Sequence, residues 1–180
     1  MVWACGACAG GLPDPMLTPG AVNPEVRPDT MATTICVPGY TKTIRPPSNY
    51  TDRLKKLQMA RYGYEDRNPR QYEEDHLIAL SIGGATTDAN NLWPQPRQGR
   101  WSAREKDQLE RVLHRMVCAG LLPLRQAQQA MANDWIESYQ HYVRRRLGRR
   151  VSMRQDCSVV HTGLARDQAR SWCRHADFGG

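Results

Sequence analysis

One stretch of the sequence combines side chains that could carry out hydrolysis. Asp75 and His76 are adjacent at the start of the largely apolar run 77–82, a Gly-Gly pair follows at 83–84, and a later loop closes with Asn-Leu-Trp-Pro at 91–94. A neutral imidazole titrates near neutral pH and can take a proton from water, whereas a carboxylate is an oxygen ligand suited to divalent cations. The pair therefore indicates metal-assisted hydrolysis.

The pair also places a demand on the local backbone. Neighbouring side chains of a regular strand point to opposite faces, so Asp75 and His76 could not share a pocket in the middle of one. They can share it where a strand ends or bulges, as strands often do beside active sites. We therefore expect such an irregularity at this position.

Several segments of the chain follow one recurrent pattern. They are Leu-Thr-Pro-Gly-Ala at 17–21, Thr-Ile-Cys at 34–36, Gly-Tyr-Thr-Lys-Thr-Ile-Arg-Pro-Pro at 39–47, Asp-His-Leu-Ile at 75–78, Asn-Leu-Trp-Pro-Gln-Pro at 91–96 and the stretch 101–110. In this pattern the chain resembles the HNH nucleases, also called His-Me finger or ββα-metal nucleases, and most of all an exported bacterial HNH-like group. The resemblance extends over residues 17–147 and implies an α+β fold around a small ββα-metal core.

The resemblance also implies roles for individual residues. It makes His76 the general base, Asp75 a metal ligand, and Asn91 the residue that braces the loop and the His76 ring. It implies one divalent cation, and Mg²⁺ or Mn²⁺ is expected because the ligands are oxygen atoms. The implied activity is that of a metal-dependent endonuclease that hydrolyses phosphodiester bonds in nucleic acid, with DNA as the expected substrate.

The helix that should supply the next metal ligand departs from the family pattern. Trp-Asn-Ala is usual there, whereas this chain has Trp-Ser-Ala at 101–103. The Ser102 hydroxyl, or the Glu105 carboxylate one turn further on, would then hold the metal. The same two residues also match a Ser-x-x-Glu capping box, which would occupy both side chains. Both interpretations remain open, and a second departure is Ala79, where proline is usual.

Basic residues after the second loop are candidates for contacts with nucleic acid. Arg97, Arg100 and Arg104 could bind flanking phosphates, or they could be solvated loop charges. Nucleic acid is the expected partner, and no sequence feature indicates an obligate protein partner. Two rival functions share the fold: a catalytically degenerate nucleic-acid-binding module, and an exported, disulfide-stapled interaction domain.

Sequence patterns predict the elements that must position these residues. β-branched runs at 33–37 and 41–45, separated by Pro-Gly-Tyr, predict an N-terminal β-hairpin. Apolar residues at helical spacing predict additional helices over 50–62, 102–118 and 123–147. The hairpin and the helices would together enclose the central motif.

Composition divides the chain into three parts. Residues 1–30 are interpreted as an N-terminal leader, an extended segment that begins with what resembles the remnant of an export signal. Residues 31–147 form the HNH-like nuclease domain, and the basic tail 148–180, which lacks a periodic pattern, is expected to be weakly ordered. From residue 141 onward the chain holds nine arginines and three aspartates, so nearly all of the formal net charge of +7 lies there and would suit phosphates.

Cysteine usage bears on the cellular compartment. Cys36 and Cys118 both lie in stretches that match the family pattern, and the resemblance implies that they pair in a disulfide if the protein is exported. In a reducing cytosol they would be buried thiols. A secreted or periplasmic location is therefore expected, with the cytoplasm as the alternative. No apolar run approaches the roughly 18 residues that a membrane span needs.

Overall fold

The computed structural model describes residues 11–144 of the 180-residue chain. This part combines helices with a small antiparallel sheet, in agreement with the predicted α+β class. Its elements in chain order are α1 (Tyr40–Ile44), α2 (Ser48–Tyr62), β1 (Tyr72–His76), β2 (Leu92–Pro96), α3 (Ala103–Cys118) and α4 (Leu124–Tyr139), which a π-helical turn (Gln140–Arg144) extends. The start of the predicted leader and the whole basic tail lie outside the described residues.

Strands β1 and β2 form a two-stranded antiparallel sheet in which His76 lies opposite Leu92 and Tyr72 opposite Pro96. Two strands alone are at best marginally stable in water, so the sheet depends on helices packed against it. Helix α2 contacts both strands. The loop 77–91, which links the two strands, starts directly after His76, so the pair Asp75 and His76 lies at the end of β1.

Helix α3 fixes this loop in the core. Its buried stripe packs against α4 on one side and against the turn Leu80–Ile82 of the loop on the other. The core residues on these elements are Leu77, Ile78, Ile82, Leu109, Leu113, Val117, Ala127, Met131 and Trp135. Burying such side chains stabilises the fold by roughly 1.5–3 kcal/mol each. The geometry beside His76 is therefore set by the hydrophobic core of residues 11–144.

The predicted N-terminal β-hairpin is wrong. Residues Met31–Thr33 form a 3₁₀ turn and the second run forms the short helix α1. The Thr34 hydroxyl donates a hydrogen bond to the Thr30 carbonyl at 2.7 Å, and the Cys36 amide donates to the Met31 carbonyl at 3.0 Å. Threonine hydroxyls that bond to nearby backbone compete with strand pairing, so local turns replace the hairpin despite the β-branched composition.

The first two predicted helices are confirmed as α2 and α3, but the third is not continuous. Asp134 has an extended backbone (φ −161°, ψ 95°) inside α4, and its carboxylate accepts a hydrogen bond from the Glu137 amide at 2.9 Å. An aspartate in this geometry acts as an N-cap and starts a second helical segment. Helix α4 is therefore kinked at Asp134.

A disulfide joins Cys36 to Cys118 across 82 residues of sequence, so the structure has the pairing that the resemblance implies. It ties the segment before α1 to the C-terminal end of α3. In residues 11–144, no helix has both the length and the apolar character that crossing a membrane requires. Disulfides of this kind are typical of proteins in oxidising compartments.

Removing this disulfide is expected to lower the free energy of unfolding by about 2–4 kcal/mol, because the cross-link closes a long loop and restricts the unfolded chain. Denaturant unfolding of full-length Cys36→Ser/Cys118→Ser against the wild type, both without reductant, measures the difference. The double substitution leaves the other four cysteines intact and so isolates this bond. Equal unfolding midpoints would contradict the prediction.

Candidate active site

Asp75 and His76 line one pocket of about 240 Å³. Because His76 is the last residue of β1, the backbone is free to turn there, and the two adjacent side chains reach the same space. The other walls come from α1 and the residue after it, from the turn that follows His76, and from α3. The full lining is Thr41, Arg45, Asp75, His76, Ala79, Leu80, Ser81, Asp107, Glu110, Arg111 and His114.

The His76 ring is held in one orientation. It is only 5% exposed, and its Nε2 lies 2.9 Å from the Thr86 carbonyl oxygen. A carbonyl only accepts hydrogen bonds, so Nε2 carries the proton in the neutral ring and Nδ1 keeps the lone pair. Nδ1 has no hydrogen-bond partner among the described residues and is not sealed from solvent. Burial lowers the pKa of His76 below its ordinary value, so the ring is neutral at pH 7.

Asn91 braces the loop rather than the ring. Its side chain is fully buried and bonds Ile78 twice, accepting from the amide at 2.9 Å and donating to the carbonyl at 3.0 Å. It also donates to the Ala85 carbonyl at 2.9 Å. Within residues 11–144, no hydrogen bond joins it to the His76 ring. The structure therefore gives Asn91 the bracing of the loop that the resemblance implies, but not a direct contact with the base.

The second glycine of the Gly-Gly pair allows this loop to close. A Cβ atom on Gly84 would lie 1.7 Å from the Ile78 carbonyl oxygen and 2.8 Å from the Asn91 amide nitrogen. Any side chain at this position would displace the backbone that Asn91 holds. Gly84 therefore belongs to the architecture of the site although it carries no reactive group.

Ser102 and Glu105 bond to each other at the N-terminus of α3, where they form a capping box. The Glu105 carboxylate accepts hydrogen bonds from the Ser102 amide at 3.1 Å and from its hydroxyl at 2.6 Å. Neither residue lines the pocket that contains Asp75. The structure thus does not bring Ser102 and Glu105 together with Asp75, the other predicted metal ligand.

Lys106 is the residue of α3 that reaches Asp75. Its side chain is fully buried, and its ammonium group donates hydrogen bonds to Asp75 Oδ2 at 2.6 Å, to the His76 carbonyl oxygen at 2.6 Å and to Glu110 Oε1 at 2.5 Å. These three bonds use all three donors of an ammonium group. Lys106 is therefore a fixed internal cation directly beneath the pocket.

This cation controls the charge of both carboxylates. Burial acts to raise the pKa of Asp75, but the neighbouring Lys106 ammonium outweighs it and keeps Asp75 ionised. Burial raises the pKa of Glu110 to about 7, although the same ammonium opposes the shift. The pKa of Lys106 itself is raised by Asp75 and Glu110 in spite of burial. Lys106 is thus protonated at neutral pH.

The donor groups do not fit the divalent cation that the resemblance implies. Asp75 already neutralises an ammonium group 2.6 Å away, which would repel a second cation, and Ser102 and Glu105 are held in the capping box. Among residues 11–144, no three His, Cys, Asp or Glu side chains are grouped closely enough to hold a metal. Mg²⁺ or Mn²⁺ remains a prediction of the resemblance alone.

No family model matches this chain, and no curated protein or solved structure matches it either. The likeness to HNH nucleases therefore depends on the residues themselves. Of the residues to which it assigns roles, Asp75 and His76 share a pocket, Asn91 holds the adjoining loop, and Cys36 is bonded to Cys118.

The three predicted phosphate-binding arginines lie away from this pocket. Arg97 forms an ion pair with Glu73 at 2.7 Å, and the Arg100 guanidinium lies 5.3 Å from the centre of the Trp101 ring. Arg104 is exposed on the first turn of α3. None of them lines the pocket, so their contact with nucleic acid remains a prediction.

Sequence reasoning missed the charged face of α3. Lys106 precedes the buried residues Leu109 and Leu113 by three and seven positions, so helical periodicity places it on the buried stripe. Glu110, four positions after Lys106, is the matching acid on the same face. A buried lysine with an i,i+4 glutamate was therefore a readable signal.

Proposed function

We propose that this chain is an HNH-like endonuclease that hydrolyses phosphodiester bonds in nucleic acid, with DNA as the expected substrate and His76 as the general base. The observation that carries the proposal is the fixed orientation of His76, whose Nδ1 is free to take a proton beside a pocket that also contains Arg45 and Arg111. The order of elements, a β1–β2 hairpin followed by α3 whose Lys106 bonds Asp75 near the end of β1, supports a ββα core of the HNH type.

The position of Ala79 adds support. Its backbone angles are φ −59° and ψ 145°, and a proline ring fixes φ near this value. The chain therefore keeps the local conformation of the family's usual proline without the ring itself. This departure from the pattern leaves the loop after His76 intact.

In the proposed reaction, His76 Nδ1 takes a proton from a water molecule as the water oxygen attacks phosphorus and the bond to the leaving oxygen breaks. The ring gains a positive charge in this step, and the ionised Asp75 carboxylate favours that charge electrostatically. The Thr86 carbonyl keeps the ring oriented throughout, because Nε2–H remains bonded to it. This step does not include a divalent cation, and the experiment below tests whether cleavage requires one.

The acid-side decline of kcat/KM should have its midpoint below about 6.5, the ordinary histidine pKa. A base works in its unprotonated form, and a lowered pKa means that protonation of His76 needs a more acidic solution. The pH–rate profile, with NMR titration of the His76 ring to assign its inflection, measures this. A midpoint above about 6.5 that belongs to His76 would contradict the prediction.

The function is tested by incubating full-length protein with supercoiled plasmid, single-stranded DNA and RNA, each with Mg²⁺, with Mn²⁺ and with EDTA. Cleavage of any substrate supports the proposal, and the three ionic conditions show whether a metal is needed. The His76→Ala variant, prepared identically, excludes a contaminating nuclease. No cleavage by fresh protein in any condition would refute the proposal.

A binding module without catalysis is the second candidate, and Lys106 favours it. Its ammonium group neutralises the carboxylate that an HNH nuclease uses for metal, and Ser102 serves as a helix cap. Such a module would bind nucleic acid with a strong dependence on salt but would leave plasmid intact. Binding without cleavage in all three ionic conditions would select this candidate.

A further inference from the structure

We propose that Arg45 and Arg111 form a phosphate-binding site beside His76 that takes one phosphodiester group of a nucleic acid strand. The inference rests on the proposed function, since it names the residues that would hold the scissile phosphate. Both guanidinium groups line the pocket that contains His76. They come from two different elements, the residue after α1 and the middle of α3, so the fold brings them together.

The donors of these two arginines are not used within the described part of the chain. Within residues 11–144, neither Arg45 nor Arg111 forms a hydrogen bond or an ion pair through its side chain, and both are exposed. By contrast, Arg97 forms an ion pair with Glu73. The Lys106 ammonium uses all three of its donors within the protein. Arg45 and Arg111 are thus the arginines of this pocket whose donors remain available to a ligand.

The other charges around the pocket are compatible with an anion. Lys106 lies between Asp75 and Glu110 and offsets their charge, and Glu110 has a pKa of about 7 because of its burial. Asp107 also faces the pocket, and its carboxylate opposes an anion there, but Arg45 and Arg111 both interact with it electrostatically and offset its charge. The His114 ring donates a hydrogen bond from Nε2 to the Ile35 carbonyl at 2.8 Å, which fixes the orientation of this ring in the pocket wall.

A phosphodiester matches this pair chemically. Arginine presents a planar fork of donors that bonds two phosphate oxygens at once, and two arginines on separate elements can bind opposite sides of one group. Because Lys106 makes a metal at Asp75 unfavourable, the negative charge that develops on the phosphate needs another positive partner. Arg45 and Arg111 can supply this positive charge, because both line the same pocket as His76.

The test uses the full-length His76→Ala protein, which should not cleave, in buffer containing EDTA. The probe is the dinucleoside monophosphate TpT, whose single phosphodiester is too small to engage the basic tail and the pocket together. Binding is followed by ³¹P NMR titration, with inorganic phosphate and thymidine as separate arms. Arg45→Gln and Arg111→Gln are added singly, and Arg115→Gln, an exposed arginine on α3 outside the pocket, is the matched control.

Each pocket substitution is expected to weaken TpT binding by about 10-fold to 100-fold, the effect of losing hydrogen bonds to a charged group. Arg115→Gln should bind TpT as the parent does, and thymidine should not bind. Failure of the parent to bind TpT, or equal weakening by Arg115→Gln, would overturn the site. Inorganic phosphate bound as tightly as TpT would overturn its assignment to a phosphodiester.

The two proposals fail separately in this design. The same arginine substitutions are also made in the cleavage-competent wild-type protein. If the wild type cuts plasmid, and if Arg45→Gln and Arg111→Gln match Arg115→Gln both in TpT binding and in plasmid cleavage, the phosphate site is wrong and the function stands. If both substitutions abolish TpT binding but the wild type cuts nothing, the site stands and the enzyme does not.

Discussion

Replacing His76 by alanine is expected to lower the rate of nucleic acid cleavage by about 100-fold to 10,000-fold, the usual contribution of a general base. The variant keeps the pocket and both arginines but has no group that can take the proton from water. Single-turnover cleavage of plasmid or of a labelled duplex by equal amounts of wild type and variant measures the loss. The effect should fall on kcat more than on KM, because the base acts in the transition state.

Two controls separate chemistry from folding in this experiment. His76 is buried and bonded to the Thr86 carbonyl, so its removal should cost about 1 kcal/mol of stability, which thermal unfolding will show. Added imidazole should restore part of the rate by entering the space that the ring leaves. His141→Ala, at an exposed position, should cleave normally. Wild-type rates in folded His76→Ala would exclude His76 as the base.

Replacing Lys106 by methionine is expected to lower the free energy of unfolding by about 3–5 kcal/mol, the cost of breaking a buried ion pair from one side. Methionine fills a similar volume but leaves Asp75 and Glu110 facing each other without a cation. Denaturant unfolding at pH 7 measures the loss. The exposed Lys42→Met is the control and should change stability by no more than about 0.5 kcal/mol.

The pH dependence of this variant provides a second check. Without Lys106 the pKa values of both carboxylates in the folded state rise above their unfolded values, so folding takes up protons. Stability should therefore increase as the pH falls from 7 to 5 and decrease as it rises again. Adding Glu110→Gln should recover part of the loss at pH 7, because it removes one of the two uncompensated charges. A loss below about 1 kcal/mol for Lys106→Met would show that the ammonium is not structural.

Features encoded locally could be predicted from the sequence, and features that depend on tertiary contacts could not. The cap of Ser102 and Glu105 and the termination of α2 at Gly63 follow from neighbouring residues, and the structure contains both. The predicted hairpin failed because threonine hydroxyls bond the backbone beside them. Arg45 reaches the pocket only because its segment packs near α3. No local sequence pattern predicts this tertiary contact.

The candidate site shows the same division. The sequence alone brought Asp75 and His76 to attention, since adjacent reactive groups can be read directly. The resemblance predicts that Asp75 shares a metal ion with Ser102 or Glu105, whereas in the structure the Asp75 carboxylate accepts a hydrogen bond from Lys106. Choosing between neighbours on a helix requires knowing which face is buried, and the long charged side chain of lysine masks its place on the apolar stripe.

The disulfide links the geometry of the pocket to the redox state of the protein's surroundings. Cys36 anchors the segment that leads into Thr41 and Arg45, Cys118 ends the helix that carries Arg111, and Cys118 is exposed to reductants. With the bond open, one wall of the pocket loses its covalent tie to the other. Reducing conditions would therefore loosen the placement of Arg45 relative to Arg111, and oxidising conditions would hold it.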